Sequence, residues 1–388
     1  MSHLRYLRAN RIALIKPSAL GDIVHSLPVL HALRVKYSSA HITWVVNRSY
    51  AALLDGHPDL SEVLPFDRRG GALTFFKLAH ELFRRRFDLV VDLQGLLRTG
   101  VMTAVTLAPR RVGLASAREG SRLAYSDLIS CDLDEHAVDR YWRVAEALGV
   151  GDLPKRFHIP ISDDARAWAL DTLHRLPRPW LVLGVGARWV TKRWPAAHFA
   201  ELVWRVQRKY GGAAIFIGAA DETPIALDVM NRMAGLTPSP PGFAGGEGWG
   251  EGVESTRARP GPLTPTLSPA KPGERGKIFW PLDLTGRTTL PQLAAILLLA
   301  DAVMANDTGP AHLAAALGRP VVAPYTCTKV RRHGPYGQTG GVESRVWCQG
   351  SYIKTCPRMD CMTELTPDRL WPALDEVLKR WADRCHSA

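Results

Sequence analysis

Short runs of apolar residues alternate along the chain with longer stretches in which apolar residues recur every three or four positions. In the first half, the strand-like run 12–15 is followed by Ile23, Leu27, Leu30 and Leu33 at helical spacing. Strands that are apolar throughout and separated by helices are typical of a parallel sheet covered on both faces. The strands predicted in this half are 12–15, 42–46 and 89–91.

The same alternation resumes after residues 150–163, a stretch with two prolines and little periodicity, where we place the domain linker. The strands predicted beyond it are 180–183, 213–217, 282–284, 302–305 and 320–322. The helices predicted beyond it are 196–210, 224–234, 290–299 and 309–317. We therefore expect an α/β protein with two doubly wound, Rossmann-like domains facing a cleft, divided as 1–157 and 158–365.

Two segments depart from this alternation. Residues 237–276 contain 8 Pro and 9 Gly, a composition that predicts a disordered insertion, although a partner site there stays an alternative. Thr366 at a cap position and Pro367 at the first helical position predict a C-terminal helix, 366–388. Its apolar positions predict that it docks on a domain.

Composition and charge exclude several classes of protein. Six cysteines in 388 residues are too few for a disulfide scaffold and indicate a reducing compartment. The longest apolar run, 293–300, is far shorter than the roughly 20 residues of a membrane span, which argues against an integral membrane protein. The net charge of +12 favours anionic partners such as nucleic acid, phosphorylated substrates or an acidic membrane surface, with solvated surface charge as the alternative.

The loop after the first strand, residues 16–22, is the first candidate for chemistry. It lies between a strand and a helix predicted to open at Asp22, where open α/β sheets bind ligands. Gly21 would let a ligand approach the backbone closely. Asp22 could cap the helix or act as a general base on a bound hydroxyl. The loop lacks the G-x-G-x-x-G pattern of a dinucleotide site.

Two loops of the second half suit anions. Residues 184–187 are small and lie between a strand and a helix, as in a phosphate cradle, and Arg188 and Lys192 add positive charge. The alternative is an ordinary basic loop. Residues 306–312 also join a strand to a helix N-terminus, although Asp307 and Thr308 could be caps and His312 a buried helix residue.

Two further features carry weaker signals. Glu222 follows a predicted strand at a place where a carboxylate often binds ribose hydroxyls. Cys348, Cys356 and Cys361 are spaced C-x7-C-x4-C, which supplies three zinc ligands at most, so buried thiols are favoured over a metal site.

Taken together, these stretches resemble glycosyltransferase family 9, the ADP-heptose:lipopolysaccharide heptosyltransferases. The matching segments, in order, are 16–22 with 26–28, 92–96 (D-L-Q-G-L), 117–119 (A-R-E), 136–140 (H-A-V-D-R), 186–195 and 307–312. The sequence departs from the family at Asp139, where Glu is usual, at Ser351, where a cysteine is usual, and in the insertion.

The resemblance implies a GT-B architecture in which the first domain binds the acceptor, the second binds the nucleotide sugar, and the C-terminal helix returns to the first domain. It also implies an inverting transfer without a metal or other cofactor. Asp22 would be the base, while Lys192 and the helix N-terminus at 307–309 would stabilise the leaving diphosphate. The implied donor-binding residues are Gly186, Ala187, Arg188, Glu222, Asp307, Thr308, Gly309 and His312. The implied acceptor-binding residues are Ser18, Gly21, Gln94 and Arg118.

The partners implied by the resemblance are ADP-L-glycero-D-manno-heptose, an anionic lipid A–core acceptor and the inner face of the cytoplasmic membrane, with no nucleic acid. A peripheral cytoplasmic enzyme is therefore expected. Two alternatives stay open, namely a family member using another nucleotide sugar or acceptor, and a non-catalytic nucleotide- or glycan-binding relative. The sequence leaves open which core position receives the sugar, the oligomeric state and any role of the insertion.

Overall fold

Two parallel six-stranded sheets form the framework of the computed structural model, which describes residues 2–236 and 281–387. The segment 237–276, predicted to be disordered, lies outside the described residues. The strands of the first sheet are β1 (Arg11–Ile15), β2 (His41–Asn47), β3 (Glu62–Phe66), β4 (Leu89–Asp92), β5 (Arg110–Leu114) and β6 (Asp127–Ile129). Those of the second are β7 (Trp180–Gly184), β8 (Ala213–Phe216), β9 (Leu282–Asp283), β10 (Ala302–Ala305), β11 (Val321–Tyr325) and β12 (Gly341–Glu343).

The two sheets share one topology. The strand order is β3-β2-β1-β4-β5-β6 in the first sheet and β9-β8-β7-β10-β11-β12 in the second. Both are the doubly wound Rossmann order, in which the chain reverses direction between two central strands and leaves a crevice at their carboxyl ends. The predicted pair of doubly wound domains is confirmed, and each domain has its crevice between its first and fourth strands.

Helices cover both faces of each sheet, as the uniformly apolar strands predict. The helices of the first half are α1 (Ser2–Arg5), α2 (Leu20–Lys36), α3 (Arg48–Ala51), α4 (Gly71–Arg84), α5 (Leu97–Val105) and α6 (Ala137–Ala147). Those of the second half are α7 (Asp163–Leu173), α8 (Ala196–Tyr210), α9 (Thr223–Leu236), α10 (Leu290–Leu299), α11 (Gly309–Ala316), α12 (Val330–His333), α13 (Asp360–Glu364) and α14 (Pro367–His386). The predicted boundary at 157/158 falls between α6 and α7.

The C-terminal helix α14 corrects one expectation. The segment 366–388 was expected to pack on the first domain, but α14 packs against α8, β10 and β11 of the second. Its buried stripe of Leu370, Leu374 and Leu378 belongs to the core on that face of the second sheet. Ion pairs from α8 to Asp368 and Asp375 hold the polar side of the helix in the same place.

The two domains meet through helices α2 and α11. A β-carbon added at Gly309 would lie 2.7 Å from the β-carbon of Leu20, and one added at Gly21 would overlap the ring of His312. The absence of side chains at these two glycines lets the helix N-termini approach each other closely. The crevices of the two sheets therefore share one cleft.

Candidate active site

Asp22 lies in the first turn of α2, at the carboxyl end of β1. The helix begins at Leu20 rather than at Asp22 as predicted, so Asp22 reaches back and accepts a hydrogen bond from the Ala19 N–H at 3.2 Å. Its other oxygen accepts the Tyr141 hydroxyl at 3.0 Å and lies 3.9 Å from the Lys16 ammonium. One carboxylate oxygen of Asp22 therefore caps the helix, as one of the two interpretations predicts, while the other oxygen contacts Tyr141 and Lys16. The side chain stays 40% exposed, so the carboxylate is open to a ligand.

The environment of Asp22 keeps the carboxyl ionised. The protein that surrounds the partly exposed carboxyl removes some of its water, which by itself would raise its pKa. The Lys16 charge and the hydrogen bonds from Ala19 and Tyr141 outweigh that effect and lower the pKa below the usual value. Burial lowers the pKa of Lys16, while the charge of Asp22 counteracts this effect. Lys16 donates to the Tyr141 hydroxyl at 2.8 Å, and Tyr141 donates onward to Asp22. These residues form a chain of charge-assisted hydrogen bonds that orients the carboxylate.

Lys192 and Asp307 form an ion pair in the second domain, in which Asp307 is buried and Lys192 is partly exposed. The ammonium nitrogen lies 2.6 Å from Asp307 Oδ2, which also accepts the Thr328 hydroxyl at 2.6 Å. The other carboxylate oxygen lies 3.4 Å from His312 Nε2. Burial would raise the pKa of Asp307, but His312 and Lys192 lower it strongly, so this carboxylate is ionised at neutral pH. Asp307 therefore fixes Lys192 beside the N-terminus of α11.

The N-terminus of α11 has the geometry of an anion site. Thr308 occupies the N-cap position with extended backbone, but its hydroxyl bonds to the Asn306 carbonyl at 3.1 Å and does not cap the helix. Asp307 is paired with Lys192, so neither residue is the simple cap that the sequence left open. His312 is a buried helix residue, which is one of the two possibilities given by the sequence, and it also contacts Asp307. An uncapped N-terminus beside a fixed ammonium favours a bound anion.

Glu222 lies between the loops that follow β7 and β8. Its carboxylate accepts the Ala219 N–H at 2.9 Å. A β-carbon at Gly218 would lie 2.6 Å from this carboxylate, and one at Gly186 would overlap it. Ala187 is buried behind the same loop and Arg188 is exposed. Glu222 is thus placed at the end of the second strand of its sheet, where a carboxylate can reach ribose hydroxyls.

The predicted acceptor residues come together at the carboxyl ends of β1, β4 and β5. Ser18 and Gly21 both lie in the segment 16–22 that leads to Asp22, and Gln94 follows β4. Arg118 donates its backbone N–H to the Gly95 carbonyl at 2.8 Å, which joins the loop after β5 to the loop after β4. Among the described side chains, Gln94 is one whose carbonyl oxygen is buried without a hydrogen-bond partner. A ligand donor would satisfy this oxygen.

The comparisons with known proteins agree with this architecture. The model of the family "Glycosyltransferase family 9 (heptosyltransferase)" matches residues 75–237 and 270–361, which is more than half of the chain. The chain belongs to this family. It is therefore a glycosyltransferase, and the resemblance expected from its motifs is confirmed. The break between the two matched stretches falls inside the segment 237–276.

Curated relatives and solved structures extend the family match over most of the chain. The chain is 27% identical to lipopolysaccharide heptosyltransferase 1 of Pseudomonas aeruginosa, with 95% of this chain and 98% of that protein covered. It is 23% identical to the lipopolysaccharide core heptosyltransferase OpsX of Haemophilus influenzae, covering 86% and 84%. The glycosyl transferase of Veillonella parvula has the same fold, with a TM-score of 0.77, 22% identity and coverage of 96% and 98%. The solved structure of E. coli heptosyltransferase WaaC with ADP has the same fold, with a TM-score of 0.65, 22% identity and coverage of 95% and 99%. The expected GT-B architecture is thereby confirmed.

Several residues that build this candidate site were not predicted individually. Tyr141 donates a hydrogen bond to Asp22, and Thr328 donates one to Asp307. Asn306 accepts a hydrogen bond from the backbone N–H of Trp194. Tyr141 directly follows the H-A-V-D-R segment, so that segment was the available signal for it. Thr328 stands in no recognised pattern, and only its long-range contact with Asp307 reveals it.

Three further findings concern metal ligands, the cysteines and membrane-spanning helices. Within residues 2–236 and 281–387, no group of three or more His, Cys, Asp or Glu side chains could hold a metal ion. Cys348, Cys356 and Cys361 are free thiols, and burial raises the pKa of Cys361 to about 11. None of the described helices is both long enough and apolar enough to cross a bilayer.

Proposed function

We propose that this chain transfers heptose from ADP-L-glycero-D-manno-heptose to the inner core of lipopolysaccharide, on a Kdo-lipid A or heptosyl acceptor, with inversion at the anomeric carbon. The observation that carries the proposal is the Gly21–His312 contact. It brings the α2 turn that holds Asp22 against the α11 turn that adjoins the Lys192–Asp307 pair. A base and a diphosphate site on opposite walls of one cleft suit direct displacement. The names of the curated relatives support heptose and lipopolysaccharide as the substrate class.

In the proposed reaction, the acceptor hydroxyl attacks the anomeric carbon while the bond from that carbon to the β-phosphate oxygen breaks. The electron pair of that bond leaves with ADP. The ionised Asp22 takes the hydroxyl proton, a role worth about 10²–10⁴-fold in rate. Because Asp22 is oriented by Tyr141 and by the Ala19 N–H, it needs no rearrangement to accept this proton.

Charge builds on the diphosphate as the bond breaks, and the second domain would stabilise it. Lys192 donates two of its three ammonium protons to Asp307, one to the side-chain oxygen Oδ2 and one to the backbone carbonyl oxygen. The third proton and the N-terminus of α11 would face the phosphates. Lys192, Arg188, Gly186, Ala187 and Glu222 would bind the donor together with residues 307–309 and His312. Ser18, Gly21, Gln94 and Arg118 would bind the acceptor.

The proposed transfer uses no metal, because Lys192 and the helix N-terminus supply the positive charge at the phosphates. The matching test is activity in excess EDTA, which should persist. Loss of activity with rescue by magnesium would contradict this part of the proposal. Since the acceptor is a lipid, we also propose a cytoplasmic enzyme that binds the inner face of the cytoplasmic membrane peripherally and does not bind nucleic acid.

The proposal is tested by combining a binding screen with a transfer assay. A thermal-shift screen of nucleoside diphosphates and nucleotide sugars should select ADP and ADP-heptose, because a ligand that binds only the native state raises its melting temperature. Transfer of heptose to Kdo-lipid A is then followed by mass spectrometry. Preference for another nucleotide would indicate a different donor, and donor binding without transfer to any core acceptor would indicate a non-catalytic relative.

A further inference from the structure

Helix α4 presents a second apolar stripe that faces away from the protein. Its inner face buries Leu78 and Leu82 against the first sheet, as expected for a covering helix. On the outer face, Leu73 is 78% exposed and Phe76 68% exposed, and Phe83 continues the stripe two turns later. Large apolar side chains aligned on the solvent side of a helix are unusual for a surface that contacts only water.

The neighbouring segments extend this outer surface. Helix α5 packs beside α4, with Leu97 and Val101 exposed on its first turns. The short turn at Ser121–Ala124 packs beside α5 and carries Leu123, which is 93% exposed. We call the exposed apolar side chains on these three neighbouring elements the apolar patch. Its members are Leu73, Phe76, Phe83, Leu97, Val101 and Leu123.

The apolar patch lies toward the edge of the first domain that carries Asp22. Helices α4 and α5 each follow a strand of a parallel sheet, so their N-terminal turns lie at the carboxyl ends of the strands. Leu73, Phe76 and Leu97 are in the first two turns of these helices, and Leu123 is in the loop after β5. Phe83, in the last turn of α4, lies farther from this edge. The acceptor-side loops at Gln94 and Arg118 occupy the same edge.

Cationic side chains surround the apolar patch. Residues 67–77, 96–104 and 115–124, which lie at the carboxyl edge of the sheet, together carry 6 Lys and Arg against 2 Asp and Glu. Lys77 and Arg84 flank the outer stripe of α4, and Arg98 lies between Leu97 and Val101 on α5. Apolar side chains interleaved with Lys and Arg are typical of a surface that inserts into the headgroup region of an anionic bilayer. Each basic residue near such a membrane contributes about 1 kcal/mol of attraction.

We infer that the apolar patch and its basic rim dock the first domain on an anionic phospholipid bilayer, with the Asp22 edge turned toward the membrane. This inference deepens the proposed function and rests on it for the identity of the acceptor. Docking in this orientation places the acceptor loops beside headgroup-level sugars of a membrane-anchored glycolipid. The sugar acceptor then reaches Asp22 without leaving the bilayer.

The test uses the full chain and vesicles, and it needs no substrate. Binding is measured by co-sedimentation with vesicles of phosphatidylcholine and phosphatidylglycerol, and with vesicles of phosphatidylcholine alone. The variant Leu73→Ser/Phe76→Ser/Leu123→Ser removes apolar members of the patch, and Lys77→Glu/Arg98→Glu reverses part of its rim. Matched controls on the second domain are Leu170→Ser/Leu227→Ser, which are exposed leucines, and Lys379→Glu/Arg384→Glu.

The wild-type chain should bind the anionic vesicles, more weakly at high salt. Both patch variants should lose about tenfold or more in partitioning, while both controls bind like the wild type. Melting temperatures, donor binding and transfer to a de-acylated soluble acceptor should be unchanged in the patch variants. Equal vesicle binding by the patch variants and the controls would overturn the inference. It would also be overturned if the wild-type chain were a dimer, the patch variants were monomers, and vesicle binding were unchanged. Vesicle binding without any heptose transfer would instead contradict the proposed function and leave the docking surface standing.

Discussion

Gly21 and His312 touch across the boundary between the two domains, and the imidazole ring occupies the space that a β-carbon at position 21 would need. The ring is buried, lies beside Asp307 and packs edge-on against His25, with ring centroids 4.5 Å apart. It therefore cannot move aside without disturbing the donor side of the cleft. The contact couples the position of Asp22 to that of the Lys192–Asp307 pair.

Gly21→Ala should reduce stability and turnover together, because overpacking a close contact costs about 1–3 kcal/mol. Unfolding free energy and transfer rate are the measurements. Gly235→Ala is the matched control, since a β-carbon there meets nothing within 4 Å. The double variant Gly21→Ala/His312→Ala should recover stability. A single Gly21→Ala variant as stable as the wild type would contradict the close contact.

Asp22→Asn should lower turnover by about two to four orders of magnitude while leaving ADP affinity nearly unchanged, as loss of a general base does. The amide oxygen can still accept the Ala19 N–H, so the capping bond is retained and only the basic oxygen is lost. Turnover and ADP titration are measured on the same preparation. A rate within about threefold of the wild type would restrict Asp22 to helix capping.

Tyr141→Phe should raise the pKa of Asp22, because the hydroxyl that it removes stabilises the ionised carboxylate. The acid limb of the kcat/KM profile should then move to higher pH, since the base is protonated at a higher pH. Tyr125→Phe is the matched control, because its hydroxyl bonds to Asp92, which has no proposed role as a base. An acid limb that stays in place in Tyr141→Phe would exclude Asp22 as the titrating base.

Lys192→Ala should weaken ADP binding and lower turnover together, each by about tenfold to a hundredfold, because the ammonium would contact charge that is present in the donor and grows in the transition state. Lys354→Ala is the control, since both ammonium groups lie over the Trp189 ring, at 4.8 Å and 5.5 Å. A melting curve checks that Asp307 tolerates the loss of its partner. Unchanged affinity and rate would place the phosphates elsewhere.

Stability should fall as the pH drops from about 6.5 to 4, because buried histidines at the domain boundary resist protonation. Burial lowers the pKa of His136 to about 4 and holds that of His25 well below its usual range. In this window the unfolded chain binds protons that the folded chain does not, so each such histidine costs about 1.4 kcal/mol per pH unit. Denaturant unfolding at several pH values is the measurement.

His136→Asn should make this dependence shallower, because one resisting group is removed and asparagine can still cap α6, where His136 Nδ1 accepts the Val138 N–H. An equally steep loss of stability in this variant would assign the effect to other groups.

The sequence by itself determined the alternation of strands and helices and the bounds of several elements, whereas the strands β3, β5, β6 and β12 were not predicted. The predicted helices at 196–210 and 290–299 match α8 and α10 in both bounds, because local signals set their ends. Thr289 and Gln292 form a capping box at the start of α10, and Gly211 follows the last residue of α8. The alternation of apolar strands and helices also predicted the two doubly wound sheets, since a strand buried on both faces requires helices on both sides.

Only the tertiary structure decided which side chains meet. Tyr141 and Asp22 are 119 residues apart, Thr328 and Asp307 belong to different strand–helix units, and neither pairing leaves a periodic trace in the sequence. The apolar stripe of α14 likewise predicted that the helix would dock, but the family resemblance placed it on the wrong domain, because an apolar stripe fits more than one face. The ion pairs from α8 to Asp368 and Asp375, together with the core on that side of the second sheet, selected the second domain. The local spacing of apolar residues determines whether a segment forms a helix or a strand, whereas the packing of elements distant in sequence determines which surface it packs against.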